Sequence, residues 1–531
     1  MTTIDLAPYS SYFSILTTVD SNNLSTGGSD DKDNVFLASN YSSFSADTVS
    51  SPDISLDSAT GRIAVKATGT YLLTYIPTIT VAGGTAAGAS ISKNGSEVFV
   101  SSNLTAFSNT DPVSITCQQI LDLVVGDYLE LKVSGVSTTA IVAENGTSFT
   151  MLKANGDYAS IVQDADGSAG SANTLEVIGD QDLAGSSITT NLNNVTYATA
   201  TGLLTPANSR PFLLLSTLMA TSDTTSQETA IGIYANGLFV DGTGVLIHQD
   251  NDPNEESYGL MRSLTGGQTV SGRYRGGTGT AITPLKGTSF TAFDVSNNDG
   301  AGTPSAFISF AIKGDSDAQT TGFKNCFDED LWSSYRTVVQ SAETNITYTS
   351  SDGTFVVANA GRYFVLWNVV ITDATTSTGR NFLIRKNGDS VFVTPGMVYT
   401  TYSPVERTVC LILDADAGDS FTFLVQAPRG KIADGTAISM FRVDDLEHLN
   451  PFFYDRPNTD LFDDRHAPEA LIADDFTINS FSADGRSVQY NRAGSKQVPF
   501  TLGVPGPMSL RGKPTNTDGT PQNVSTGQKK N

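Results

Sequence analysis

A chain of 531 residues is too long for one hydrophobic core; at roughly 150 residues per domain it divides into three or four domains. With 48 glycines, only 16% charged residues and no apolar helical heptads, it suits short strands joined by polar turns, so the fold class is all-β. The 55 acidic against 31 basic residues give a formal net charge of -24, which argues against a groove for phosphate backbones; no nucleic-acid partner is expected.

In chain order, Met1 to Ser11 has neither the basic nor the apolar region of a signal peptide. No later stretch approaches the roughly 18 apolar residues of a membrane span, so neither a signal peptide nor a transmembrane segment is expected. A first domain is predicted over 1–155, from Gly61, an apolar strand opening at Gly69-Thr70-Tyr71-Leu72-Leu73, a hairpin at Asn94-Gly95, a turn at Gly126-Asp127 and a closing strand from Gly146 to Leu152. A second, over 156–300, opens with Tyr158 to Val162 and repeats the series at Gly202, Phe212, Asn236-Gly237, Gly266-Gly267 and Gly287 to Phe293. The linker-like stretch Ser296 to Pro304 leads into a third, over 301–446, with Ala306 to Phe310, Gly353, Gly361-Arg362-Tyr363-Phe364-Val365, Asn387-Gly388, Gly418-Asp419 and Gly435 to Phe441. After Leu446 no fourth copy follows. The C-terminal extension, 447–531, is aromatic-rich at Pro451-Phe452-Phe453-Tyr454 and turns to Gly, Pro, Asn, Thr and Gln from Pro505. It reads either as a docking arm or as a small folded appendage with a loose end.

The spacings make these landmarks a repeat. Gly61 to Tyr71, Gly202 to Phe212 and Gly353 to Tyr363 each span 10 residues, and the aromatic lies 23, 24 and 24 residues ahead of the hairpin asparagine. From Asn94 to Asn236 is 142 residues and from Asn236 to Asn387 is 151, which are whole domains rather than solenoid units. Asn94-Gly95, Asn236-Gly237 and Asn387-Gly388 suit the positive φ angles of a type I′ turn, whose twist matches its flanking strands. Many short strands at such spacing predict three tandem antiparallel sandwiches. Tyr71, Phe212 and Tyr363, with Phe149 and Phe290 of the closing strands, are expected to pack either in the cores or along a trimer axis.

The order Gly, Gly-x-Tyr-apolar, Lys-Asn-Gly, Leu-x-x-x-Gly-Asp-x-Leu and a closing Phe-x-x-Leu strand resembles the globular head of complement first component and the tumour-necrosis-factor superfamily. Copies one and three carry it; in copy two, where Arg210-Pro211 replaces the Gly-x pair and Gly-Asp is lost, only the spacing does. The resemblance spans about residues 10–445 and implies jelly rolls packed as a homotrimer, in proteins that bind proteins or glycans and are not generally catalysts. Similar domains end bacterial and phage fibres. Together with the missing signal peptide, this leads to the expectation of a bacteriophage virion structural protein, a head or tail fibre or decoration docking other virion proteins through 447–531. The alternative is an adhesin for a host surface glycan or protein.

Chemistry-bearing residues are few, and no enzyme is expected. The histidines are His248, His448 and His466, and no nucleophile is placed beside them. Cys117, Cys326 and Cys410, about one per domain, read as buried small hydrophobes. Asp164-Ala165-Asp166-Gly167 and Asp414 to Asp419 offer oxygen ligands to calcium, but neither matches the EF-hand loop, and solvated turns are the favoured reading; no cofactor is expected. Trp332 is the candidate glycan contact, and Trp367, within an apolar strand, is expected to be buried.

Overall fold

A computed structural model describes residues 11–25, 32–81, 86–105, 112–135, 140–154, 156–171, 174–181, 187–222, 227–242, 246–248, 253–277, 280–296, 306–313, 316, 322–331, 336–339, 345–372, 381–394, 405–426, 430–443, 476–481, 487–492 and 497–501. Ser10–Leu446 forms one compact unit; Met1–Tyr9 and Glu447–Asn531 form a second.

The first copy supplies β1 (Tyr12–Thr17), β2 (Ala46–Ser50), β3 (Ile54–Asp57), β4 (Arg62–Val65), β5 (Gly69–Ile76), β6 (Ala86–Lys93), β7 (Ser96–Val100), β8 (Cys117–Leu123), β9 (Tyr128–Gly135) and β10 (Ser148–Lys153). The second supplies their counterparts β11 (Tyr158–Gln163), β12 (Ile188–Asn193), β13 (Val195–Ala198), β14 (Leu203–Pro206), β15 (Arg210–Ser222), β16 (Gln227–Ala235), β17 (Leu238–Gly242), β18 (Asn254–Leu264), β19 (Val270–Gly276) and β20 (Ser289–Asp294). The third supplies β21 (Phe307–Lys313), β22 (Arg336–Val339), β23 (Ile346–Thr349), β24 (Thr354–Val357), β25 (Gly361–Thr372), β26 (Phe382–Lys386), β27 (Asp389–Thr394), β28 (Val405–Ala415), β29 (Ser420–Gln426) and β30 (Ala437–Arg442). In copy one the sheet β8-β5-β10-β1-β2 faces the sheet β7-β6-β9-β4-β3, and the same order recurs in copies two and three. The fold is therefore all-β, with two main antiparallel sheets per copy in a jelly-roll order; copy one adds a four-stranded sheet of Val113–Ser114, Thr78–Val81, Ala140–Ala143 and Leu24–Ser25.

Turn chemistry sets the register. Asn94, Asn236 and Asn387 have φ of 52°, 50° and 53°, and each is followed by a glycine at positive φ, as a type I′ hairpin requires. The next turn carries Gly126, Gly267 and Gly418 at φ of 94°, 82° and 90°, so the copy-two counterpart is Gly267 rather than Gly266. The tyrosine that opens β5 and β25 is pinned to its own chain: Tyr71 donates to the Ala67 carbonyl and Tyr363 to that of Asn359, both at 2.7 Å.

Period-two alternation on β5, β15 and β25 sends neighbouring residues into different cores. Tyr71, Leu73 and Tyr75 enter the core of copy one, Phe212 and Leu214 that of copy two, and Tyr363, Val365 and Trp367 that of copy three. Phe149 and Phe290 join the first two, so all five nominated aromatics lie in domain cores rather than on an axis. The alternate residues meet elsewhere: Leu72, Leu213 and Phe364 share a fourth apolar cluster with Ile120, Met261 and Ile412 and with Leu152, Phe293 and Phe441. Each of these trios occupies one register position in the three copies.

This fourth core closes a ring. Strand β8 lies against β11 and β20 of copy two, β18 against β21 and β30 of copy three, and β28 against β1 and β10 of copy one. The edge strand of each copy thus packs on the inner sheet of the next, a heterologous contact that closes after three steps. This cluster is covered within one chain: Tyr12, at 5% exposed, is its most accessible buried member. This threefold relation is one among copies of the domain within a single chain.

In the second unit, the antiparallel strands β31 (Phe476–Phe481), β32 (Ser487–Arg492) and β33 (Gln497–Thr501) pair in sequence order.

Candidate functional site

Where the three edge strands converge, the ring changes from apolar to polar. Residues facing Tyr71, Phe212 and Tyr363 across the ladder are Leu121, Arg262 and Leu413, and five positions before these stand Thr116, Ser257 and Thr408. Thr116 and Ser257 hydroxyls approach to 3.1 Å, and Ser257 donates to Thr408 at 2.8 Å, so one hydroxyl from each copy meets the others. All three residues are buried.

Backbone groups hold this centre on both sides. The Met261 N–H reaches the Ser309 and Ser439 hydroxyls at 3.1 and 3.0 Å, and the equivalent Ile412 N–H reaches Ser14 of copy one at 3.1 Å. Asn368 donates its amide to the Gly259 carbonyl at 2.8 Å. A Cβ at Gly259 would meet the side chains of Leu366 in copy three and Leu215 in copy two, so a larger residue would require both leucines to shift.

Carboxylates cap the hydroxyl trio. The Ser257 N–H donates to Glu406 at 2.9 Å, and Thr408 stands 3.1 Å from its other oxygen. Burial pushes the Glu406 carboxyl well above the ordinary carboxylate range, and repulsion from Glu256 and Glu255 adds to it, against the hydrogen bonds from Ser257 and Thr408. Glu255 is pushed up to about 7 by burial, opposed by hydrogen bonds from Thr116 and by the Arg407 charge. Arg407, 2% exposed, donates to the hydroxyls of Thr78 in copy one and Thr394 in copy three. The arrangement is a protonatable clasp between copies. Burial is also the main cause raising the thiols of Cys117, Cys326 and Cys410, the last to about 12, which leaves them as inert packing groups.

A second polar device explains two sequence landmarks together. Asp127 accepts from the Val124 N–H at 2.8 Å and from the Asn94 amide at 2.6 Å, and it pairs with Lys93 at 3.0 Å. Asp419 repeats this with Asp416, Asn387 and Lys386. Lys-Asn-Gly and Gly-Asp are thus two halves of one clamp on the hairpin, and copy two, with Ala235 and Gln268, has lost both. Asn236 still accepts from the Thr269 N–H at 3.0 Å.

The acidic stretches considered for calcium divide their carboxylates among separate contacts. Asp164 accepts from Thr189, Asp166 from the Lys286 N–H, and Asp414 pairs with Arg362 at 2.8 Å. Among the described residues no group of three or more His, Cys, Asp or Glu is placed to hold a metal ion. Trp332, His448 and His466 lie outside the described residues, as does the His248 side chain. Trp367 is fully buried. Sequence reasoning missed the clasp and the shared core; the signal for the core was the apolar run of β25, broken only by Asn368 and buried on both faces where a solvent-facing strand would alternate.

No family model matches the chain, and no curated protein matches it. Among solved structures, one described as Eiger TNF from S. frugiperda is 16% identical over 26% of this chain and 92% of that one, with a TM-score of 0.20. Pika GITRL is 13% identical over 26% and 95%, with a TM-score of 0.18. A β-porphyranase of glycoside hydrolase family 86 from Bacteroides plebeius is 9% identical over 45% and 34%, with a TM-score of 0.15. Strand order, register and the threefold correspondence above carry the description of the fold. Among the described residues no helix is long and apolar enough to cross a membrane, which says nothing of β-barrels.

Proposed function

We propose that the chain is a structural component of a virus particle, a head or tail decoration of a bacteriophage virion that acts by binding rather than by catalysis. The ring of three jelly rolls closed within one polypeptide is the observation that carries this reading. A homotrimer must present three identical outer faces, whereas a tandem chain lets each copy diverge while the shared core keeps the head rigid. Here copy two has done so, having lost the hairpin clamp of the other two. In this reading the head works as a monomer, and 447–531 docks it to other virion proteins. The carboxylates at its centre join copies, and of the thiols Cys410 lies in the shared core while Cys117 and Cys326 lie in the cores of copies one and three.

Two measurements test the proposal. Light scattering of the purified chain should give the mass of one chain at micromolar concentration, and labelled particles imaged by electron microscopy should carry it in many copies. Deleting 447–531 should abolish incorporation; unchanged incorporation, or particles that lack the protein, would overturn the reading.

A further inference from the structure

The outer sheet of copy two carries a surface that its counterparts lack. Tyr234 of β16 pairs with Phe239 of β17, and their rings meet edge to face at 5.4 Å. Phe239 is 53% exposed and its neighbour Leu238 is 73% exposed. Across the ladder, Tyr234 and Gly232 stand opposite Ser271 and Arg273 of β19, and Ala230 opposite Arg275. These residues alternate with Ile231, Ile233 and Tyr274, which enter the core, so they share the outward face. Gly232 faces Gly242, which leaves a low floor between the aromatic pair and the two arginines.

The arginines are placed for an external acid. The Arg273 guanidinium lies 4.8 Å from the Tyr234 ring centre, and its Nε donates to Ser271 at 3.0 Å. Arg275 is exposed, and among the described residues neither arginine forms an ion pair. In copy one the corresponding positions are Ser92, Glu97, Glu130 and Lys132, and they are compensated internally: Lys32 pairs with Glu97, and Glu130 with Arg62 and Lys132. Copy three has Arg385, Ser390, Thr422 and Leu424, with no aromatic. Two arginines without an ion pair among the described residues are conspicuous on a chain of net charge -24, and they set the sign of what fits there.

We propose that this face of copy two binds an acidic saccharide, with a sugar ring against Phe239 and its carboxylate or sulfate held by Arg273 and Arg275. A half-exposed aromatic ring beside a glycine floor offers a stacking platform of about one ring, and a guanidinium fork matches a planar acid. The small footprint, the overall acidity and the presence of one aromatic pair among the described residues disfavour a nucleic-acid strand, which needs a basic track with successive stacking positions. The site lies on the head itself and is independent of how the head is mounted.

Calorimetric titration of the full chain tests it, with three probes: a sulfated heparin oligosaccharide, an oligogalacturonate, and a neutral dextran oligosaccharide. At least one acidic probe should bind, more weakly as salt is raised, and the neutral probe should not; which acidic probe binds separates sulfate from carboxylate. Arg275→Gln and Phe239→Ala, both at exposed positions, should each weaken binding by about tenfold while leaving the thermal midpoint in place. Binding by neither acidic probe, or binding unaffected by both substitutions, would overturn the proposal. So would an acidic oligoglutamate peptide that binds in an Arg275-dependent way when no saccharide does. Because the measurement uses free protein, its failure leaves the virion reading to be judged by particle imaging alone.

Discussion

Asp127 is 6% exposed and keeps its charge, because three donors outweigh the cost of burying it. Burial raises its proton affinity, but the Val124 N–H, the Asn94 amide and Lys93 lower it further, and the net result lies below the ordinary aspartate range. A carboxylate depressed in this way stabilises the fold fully above its unfolded value of about 3.9, and the contribution disappears as pH falls through the lower folded value. Asp127→Ala removes the acceptor and strands the donors, with an expected loss of about 1–3 kcal/mol at pH 7. Chemical denaturation should show this gap between wild type and variant at pH 7 and a much smaller one near pH 2. An equal gap at both values would mean that packing, not charge, fixes the turn. Copy two offers an internal control, since Gln268 replaces the aspartate and its hairpin keeps the same φ at Asn236.

At the scale of the strand, β25 shows why two adjacent aromatics behave differently. Tyr363 belongs to the core of copy three, whereas Phe364 belongs to the core shared by all three copies and stacks on Phe441 at 4.9 Å. Tyr363→Phe removes one hydrogen bond, to Asn359, and should cost about 1 kcal/mol; copy two already has Phe212 there. Phe364→Ala opens a cavity between copies and should cost about 3–5 kcal/mol. Hydrogen exchange should then show increased opening of β18 and β1 as well as of β25; a change confined to copy three would contradict the shared core. Much of this was legible in the sequence: the hairpin asparagines, the turn glycines and the core tyrosines all stand at countable spacings, because local turn chemistry fixes them. The shared core was not, because Leu72, Leu213 and Phe364 differ from their core neighbours only in phase, and phase alone does not say what covers a sheet's second face. The clasp of Thr116, Ser257 and Thr408 joins residues more than a hundred positions apart, so no local pattern could pair them.

For the whole molecule the consequence is a ring whose closure depends on protons. Glu255 and Glu406 lie at the same register position of β18 and β28, so closing the ring brings two carboxylates together with Glu256 and a single Arg407. The folded state therefore prefers them protonated. For an acid whose folded value is raised, stability is greatest below the ordinary carboxylate range and falls as pH rises through the folded value. With Glu255 at about 7, a loss on the order of 3 kcal/mol should develop between about pH 4.5 and 7.5, opposite in sign to the aspartate clamps. The two effects together place maximum stability near mildly acidic pH. Glu406→Gln keeps the acceptor for the Ser257 N–H and removes one charge, so its thermal midpoint should exceed that of wild type at pH 8 and match it near pH 5. If the wild-type midpoint is flat from pH 5 to 8, or if the substitution lowers it equally throughout, the carboxylates do not carry the strain of ring closure.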